Sequence, residues 1–543
     1  MLRFFNWKIL LILIIFLASV LRLYQLGNIP YGVIDDEANY IYNAYSIWNT
    51  GRDVQGNFLP LSFNAYSSAS PVVVYLISPF VGILGVSSFS GRILSSLMGI
   101  CSVYLIFLIS DFLFKNKRVA LLSSLLFSIS PWALQVARGS FLDVNFSLFF
   151  LLSGLYIFIP NASGKKYLWS LIPFALAFYS YHATKVYFLF LIPVLLFFFR
   201  AKLFKHIKSV TLFLIICAFF FISFLFVIKS QGVTRQVDVN LFNNIYSAKQ
   251  VNLERTYSNA PIIFRQIFSN KPLHYLKTMR ENFLGPFSLE FLFLYGDTGP
   301  LSGSNNISQR GELYIIELPL LLIGLYLLLK NKNRFLKTFI FTLLIIGALP
   351  STFTIDKSFV NRNIMLLPVL IIIVAYGLSM SLDKILKFKK FYRLTLFLTI
   401  IIVYFFLFSS YLYQYYFRWP IYGAEGVNSN SRDLSSLIMR NKDKYSNIYL
   451  SKQGYDFLLV YGIYEKTDPR ILQGAWGKNP AQIGSLRIYQ NCINNGVGYT
   501  EKFLPKNTLY ISSFVDCHYL STPSAKIVDR GEPLRIIWNI YEN

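Results

Sequence analysis

Carboxylates are scarce in this chain: 26 Asp and Glu stand against 51 Lys and Arg, and charged residues make up only 14% of its 543 residues. A soluble globular chain carries roughly 25% charged residues, so this shortage excludes an ordinary soluble protein. Cysteine is rarer still, and the four present show no metal-binding spacing. Internal repeats are missing, so a transporter built from inverted repeats gains no support. The short alternating segments of a membrane β-barrel are absent from the first 412 residues.

Apolar residues fill the space that charge leaves. The chain is 55% hydrophobic and 18% aromatic, with a mean hydropathy of +0.49. Runs of about 17–25 apolar residues recur along it, the length that crosses a bilayer as a helix. The net charge of +25 does not point to nucleic acid, because Lys and Arg occur in short clusters between apolar runs and form no reading stripe. The clusters 115–118, 165–166, 200–208, 330–337 and 383–393 fall on one side if the run 71–86 lies flat or re-enters. By the positive-inside rule that side is the cytoplasm. The expectation is a polytopic α-helical protein of the cell membrane, with about eleven spans and up to thirteen. The run opening at Lys8 reads as an uncleaved anchor, with the N-terminus inside.

The outside segments then include 27–88, 229–311 and 413–543, with shorter turns at 137–142, near His182 and at 353–362. Residues 1–412 form the membrane domain. Residues 413–543 read as a small α/β domain outside the cytoplasm, with strands near 447–450, 507–512 and 534–540. Cys492 and Cys517 fall in that domain and would be able to pair there; Cys101 and Cys217 sit in apolar runs and read as packing residues. The part 240–281 reads as polar and helical. A Gly/Ser/Asn loop follows at 299–308.

The acidic triplet Asp35, Asp36 and Glu37 follows the anchor on the outer side, where charge beside lipid tends to be functional. It precedes Ala38–Trp48, whose apolar spacing suits a short amphipathic helix at the interface. The carboxylates can cap that helix, do chemistry, or divide those tasks. Other outer turns add Arg138 and Asp143, then His182 and Lys185, then Asp356, Lys357 and Arg362. Arg holds phosphate oxygens in pairs, Lys and His⁺ add point charge, and a carboxylate takes a proton from a hydroxyl. The plainer alternatives are an interfacial Arg138 or Lys185, an interfacial His182, and a turn role for Asp297.

Several stretches together resemble the GT-C superfamily of membrane glycosyltransferases, specifically its protein O-mannosyltransferase-like and aminoarabinose-transferase-like families. They are I-D-D-E-A-N-Y-I-Y-N-A-Y-S-I-W-N-T-G-R-D-V-Q-G-N-F-L-P-L (34–61), S-G-R-I-L-S-S-L-M-G (90–99) and I-S-P-W-A-L-Q-V-A-R-G-S-F-L-D-V-N (129–145). Y-S-Y-H-A-T-K-V (179–186), F-L-F-L-Y-G-D (291–297), E-L-P-L-L-L-I-G-L (317–325) and R-N-I-M-L-L-P (362–368) continue the series. The resemblance implies inverting transfer of a sugar from a polyprenyl-phosphate carrier to a protein, lipid or glycan acceptor on the outer face. It implies Asp36 as general base with Glu37 as its partner. Asp35, Arg138, Asp143, His182, Lys185, Arg310 and Arg362 are then binding residues for the substrates. Two departures stand out: S-S-A-S-P at 67–71 replaces a Lys-Pro-Pro or His-Pro-Pro element, and the loop 297–310 keeps only Asp297 and Arg310. Mg²⁺ or Mn²⁺ would suit acid beside phosphate, but with no second carboxylate-rich cluster beyond Asp143 no metal is assigned. The rival functions are a transporter or flippase, and a polymerase or ligase, of lipid-linked sugars.

Overall fold

A computed structural model of the chain describes residues 6–543 apart from 64, 66–68, 140, 232–239, 243, 299–306, 308–309, 493–504, 516 and 518–521. The Gly/Ser/Asn loop at 299–308, Ile307 excepted, and Ser67 and Ser68 of the departing element therefore lie outside the described residues. Contacts divide the chain into two compact units, and neither follows a single cut near residue 412. One comprises Met1–Arg22, Leu97–Ala137 and Asp143–Tyr411; the other Leu23–Ser96, Arg138–Leu142 and Leu412–Asn543.

The chain is mostly helical. Among the described residues six helical stretches are long and apolar enough to cross a membrane, or seven if one bent pair counts as a span. They are Ser88–Phe114, Leu142–Asn161, Ala183–Phe226, Arg334–Thr352, Leu366–Ile385 and Lys390–Tyr422. Ala183–Phe226 takes in two apolar runs, 185–199 and 209–228, because the helices Ala183–Leu203 and Ile207–Gln231 are joined by a single tight turn. The apolar run 119–136 is the bent pair. It breaks by 57° between Lys117–Ile129 and Pro131–Arg138, where Pro131 removes an amide donor and crowds the preceding turn. Side chains of the same unit take up the carbonyls that the break releases. Arg22 donates to those of Phe127 (3.4 Å) and Ser128 (3.1 Å), and the Tyr314 hydroxyl to that of Ile129 (2.7 Å). Such capping is obligatory where water is absent.

The second unit holds a six-stranded sheet of order β2-β3-β1-β4-β6-β5. Its strands are β1 Asn447–Ser451, β2 Ala481–Ile483, β3 Leu486–Tyr489, β4 Thr508–Ser513, β5 Ala525–Val528 and β6 Ile536–Glu542. The central β1 is parallel to β3 and β4, and the outer pairings are antiparallel. Sequence periodicity finds β1, β4 and β6. It misses β2, β3 and β5, which have only three or four residues each. Cys492 and Cys517 are joined in a disulfide.

The first-loop helices belong to this same unit. Asp35–Thr50 packs on Pro71–Leu84, on Tyr455–Glu465 and on Pro469–Ala475. The amphipathic reading of Ala38–Trp48 needs correcting here. Residues 37–44, 46 and 47 are buried, so most of this helix is a core element of its unit and only its end, at Trp48, is exposed. Pro71–Leu84 has 14 residues and reaches about 21 Å, short of the ≈ 30 Å hydrocarbon layer.

Candidate active site

The acidic triplet opens the Asp35–Thr50 helix. Ile34 is the cap residue and supplies no side-chain bond, so none of the three carboxylates stands at the cap position; all three are first-turn residues, where negative charge suits the helix dipole. Each carboxylate has a different setting.

Glu37 is fully buried and paired with an equally buried Arg92. Arg92 Nε donates to Glu37 Oε1 at 2.6 Å and Nη2 to Oε2 at 3.0 Å. The remaining donors reach the carbonyls of Leu26 (3.2 Å), Pro30 (2.9 Å) and Gly32 (2.7 Å). All five guanidinium N–H groups are thereby used, the condition under which a buried ion pair is tolerable. Arg92 thus fixes both the helix start and the turn that delivers the chain to it. Gly139 makes room for it: φ is +155°, and a Cβ there would sit 2.9 Å from Arg92 Nε.

Asp35 is held from the far end of the sequence. Asn428 Nδ2 donates to its Oδ1 at 2.5 Å. Beside it Gly32 lies against the 427–429 turn so closely that a Cβ would fall 1.8 Å from the Val427 carbonyl oxygen. Tyr31 is clasped by two guanidinium groups, Arg432 at 4.1 Å and Arg530 at 3.9 Å from the ring centre. Its hydroxyl donates to Asp433 (3.0 Å), and its carbonyl accepts from Arg432 (2.6 Å). Residues 31–35 are therefore positioned by 428–433 and 530. Asp36 is partly exposed.

Burial pushes the Asp35 carboxyl up to about 6, with the charges of Asp456 and Asp36 adding to the rise and the Asn428 bond opposing it. The folded state then holds a proton that the unfolded chain releases near pH 4. Stability falls as pH climbs from about 4 to 6 and is level above that. Asp35→Asn is expected to raise stability at pH 7–8, by about 3 kcal/mol at most, with the gain vanishing below pH 4. Thermal unfolding across a pH series reads this, and a gain independent of pH would contradict it.

Arg138 is buried in the same unit. Its guanidinium donates to the Tyr24 carbonyl (2.7 Å), the Ile29 carbonyl (3.3 Å) and the Tyr415 hydroxyl (3.2 Å). It also stacks over Tyr415 and Tyr416. In this geometry it braces the approach to the acidic turn.

The other unit holds the remaining candidates. Asp143 opens the Leu142–Asn161 helix, and Lys185 stands in the first turn of Ala183–Leu203, with His182 as that helix's cap residue. The hydroxyls of Ser147 and Thr184, 2.5 Å apart, tie the two helices at that level. Lys185 donates to the Tyr181 carbonyl (3.1 Å) and lies over Phe224 (4.9 Å). The Arg362 carbonyl accepts from the Tyr187 hydroxyl at 2.5 Å, which brings Arg362 to the same end of the unit. Its guanidinium grips Asp356 through two bonds of 2.9 and 2.7 Å. Asp143, His182, Lys185 and Arg362 are thus grouped. Arg310 packs instead over Tyr314 and Tyr411 and donates to the Leu407 carbonyl. Asp297 accepts from the amides of Phe359 (2.8 Å) and Val360 (3.0 Å), a helix-start role in place of a simple turn. Among the described residues no group of three or more His, Cys, Asp or Glu is placed to hold a metal ion.

The sequence reading missed Arg92, Asn428, Asp456 and the Tyr31 clasp. A signal existed for Arg92, an arginine inside an apolar run. None existed for the others.

Residues 68–227 match the family described as dolichyl-phosphate-mannose-protein mannosyltransferase. No curated protein sequence matches the chain. Among solved structures it is similar to the oligosaccharyltransferase AglB of Archaeoglobus fulgidus, in complex with an inhibitory peptide and a dolichol-phosphate. That match has 14% identity and a TM-score of 0.51 and covers 93% of this chain and 69% of that one. It is similar also to ArnT of Cupriavidus metallidurans bound to undecaprenyl phosphate, with 11% identity, a TM-score of 0.50 and 97% of each chain covered. At such low identity these likenesses establish the fold. The chain has the GT-C fold of membrane glycosyltransferases, and within it residues 68–227 carry the mannosyltransferase family's sequence pattern.

Proposed function

We propose that this protein transfers a sugar from a polyprenyl-phosphate-linked donor to a protein, lipid or glycan acceptor, with inversion at the anomeric carbon. The observation that carries the reading is the acidic helix start: a partly exposed Asp36 is set between Asp35 and Glu37, each fixed by a named partner. Asp36 takes the proton of the acceptor hydroxyl or amine. The acceptor atom bonds to the anomeric carbon as the bond from that carbon to the phosphate oxygen breaks, and polyprenyl phosphate leaves with the electron pair. Glu37 takes no proton in this scheme; it aligns the turn through Arg92. The AglB and ArnT structures, solved with dolichol-phosphate and undecaprenyl phosphate, support a carrier of this class. The disulfide Cys492–Cys517 supports a location of residues 413–543 outside the cytoplasm, since such bonds persist in oxidising compartments.

The test is reconstitution in vesicles with a panel of polyprenyl-phosphate sugars and candidate acceptors. Expected is release of one polyprenyl phosphate per sugar transferred, with the anomeric configuration inverted in the product. Movement of intact donor across the bilayer with no bond broken would replace transfer by transport. Retention of configuration would remove the single displacement.

A further inference from the structure

The segment 244–284 is folded as three helices, Asn244–Thr256, Ile262–Phe268 and Lys271–Leu284, and its middle helix has an unusual surface. Ile262–Phe268 has no buried residue. All five of its apolar side chains point outward, with Ile262 70% and Phe268 69% exposed. Tyr257, Leu273 and Leu276 extend the exposed apolar area onto both neighbours. In water a patch of this kind is a liability, and its usual meaning is a partner or a membrane.

The tip is rigidly built. Arg255 Nε donates to the Ser269 carbonyl (2.8 Å), Arg265 Nε to the Ala260 carbonyl (2.6 Å), and Asn270 Nδ2 to the Ile267 carbonyl (2.7 Å). The Phe264 and Phe268 rings lie parallel at 6.4 Å. The base of the hairpin is anchored in its own unit: the Leu241 amide donates to the Phe353 carbonyl, Asn282 Nδ2 to the Thr354 carbonyl, and Ser351 Oγ to the Asn282 carbonyl. The anchored base and the apolar tip belong to one fixed element.

Charge selects the partner. From Arg255 to Lys271 there are three cations, Arg255, Arg265 and Lys271, and no carboxylate. Over the whole of 244–284 six Lys and Arg stand against Glu254 and Glu281. Of the two acids, Glu254 faces His274 and Lys277, and Glu281 faces Lys357. A short helix with exposed Ile and Phe at its tip and cations at its flanks suits the boundary between lipid headgroups and acyl chains. The segment also follows Ile207–Gln231, part of a stretch long and apolar enough to span a bilayer. We infer that Ile262–Phe268 is a monotopic foot that inserts into the lipid interface, with Arg255, Arg265 and Lys271 on anionic headgroups. This holds whatever reaction the protein performs.

Spin labels at Phe264→Cys and Ile267→Cys, with Lys277→Cys as the reference, in a chain also carrying Cys101→Ser and Cys217→Ser, test the inference. The full-length protein is placed in vesicles of phosphatidylethanolamine and phosphatidylglycerol. The expected result is relaxation by oxygen over a water-soluble nickel chelate at 264 and 267, and the reverse at 277. Labels at 264 and 267 as open to nickel as that at 277 would overturn it. Labels shielded from both relaxants and broadened by one another would assign the patch to a second copy of the chain and overturn it equally. A label at Gln266→Cys, on the same helix but replacing a polar residue, repeats the measurement should the apolar substitutions disturb folding.

Discussion

Asp36→Asn is expected to lower sugar transfer by about 10²- to 10⁴-fold, the usual contribution of a positioned general base. Asparagine keeps the shape of aspartate and its place in the first helical turn, so the protein should insert and unfold normally. Removing one carboxylate from a helix start costs only about 0.3–1 kcal/mol. The informative comparison is with Asp35→Asn. Asp35 has the raised proton affinity often found at active sites, so it is the serious competitor for the same task. Its Oδ1 already accepts from Asn428, and its carboxyl titrates near 6. If Asp35 were the base, kcat/KM would rise through a midpoint near pH 6 and Asp35→Asn would abolish transfer. If Asp36 is the base, Asp35→Asn remains active. Initial rates of both variants with one defined polyprenyl-phosphate sugar decide the matter.

The largest loss of stability is expected from Arg92→Met or Glu37→Gln. Both side chains are wholly excluded from solvent, so removal of one leaves the other charged, buried and unmatched. That situation costs about 3–5 kcal/mol. Arg92→Met also strands the carbonyls of Leu26, Pro30 and Gly32, which receive three of its bonds, and each buried unsatisfied acceptor adds about 1–3 kcal/mol. Arg92→Met should therefore be the worse of the two. Combining it with Glu37→Leu should recover part of the loss, because two apolar groups of similar volume leave no orphaned charge. Thermal midpoints of the purified variants in detergent give the order. A wild-type midpoint for Arg92→Met would show that the pair does not organise the acidic turn.

Much of the fold was legible because a bilayer restricts the backbone so severely. A chain with 14% charge and 55% hydrophobic residues must bury its amides in helices, and the long apolar runs mark where. The acidic triplet was legible for the same reason, since charge at the membrane boundary needs a purpose. Apolar run length was less reliable as a count of spans. The run 119–136 breaks at Pro131, and the amphipathic spacing at 38–48 belongs to a helix buried through residues 37–44. Spacing reports which residues avoid water and not how many neighbours cover them. The segment 240–281 read as polar from its composition, yet once folded it carries an apolar tip, the helix Ile262–Phe268 having no buried residue.

By itself the sequence determined a helical membrane protein with the GT-C pattern, a C-terminal α/β segment and an acidic motif at the head of one helix. Only the tertiary structure decided what each acid of that motif does. Glu37 is an internal counter-charge because Arg92, 55 residues away, turns inward to meet it. Asp35 is a held and protonation-sensitive group because Asn428, 393 residues away, closes on it. The physical reason is that burial and electrostatic partnership are properties of neighbours in space. Three consecutive carboxylates are chemically almost the same in the chain and acquire different roles only when the fold surrounds each one differently.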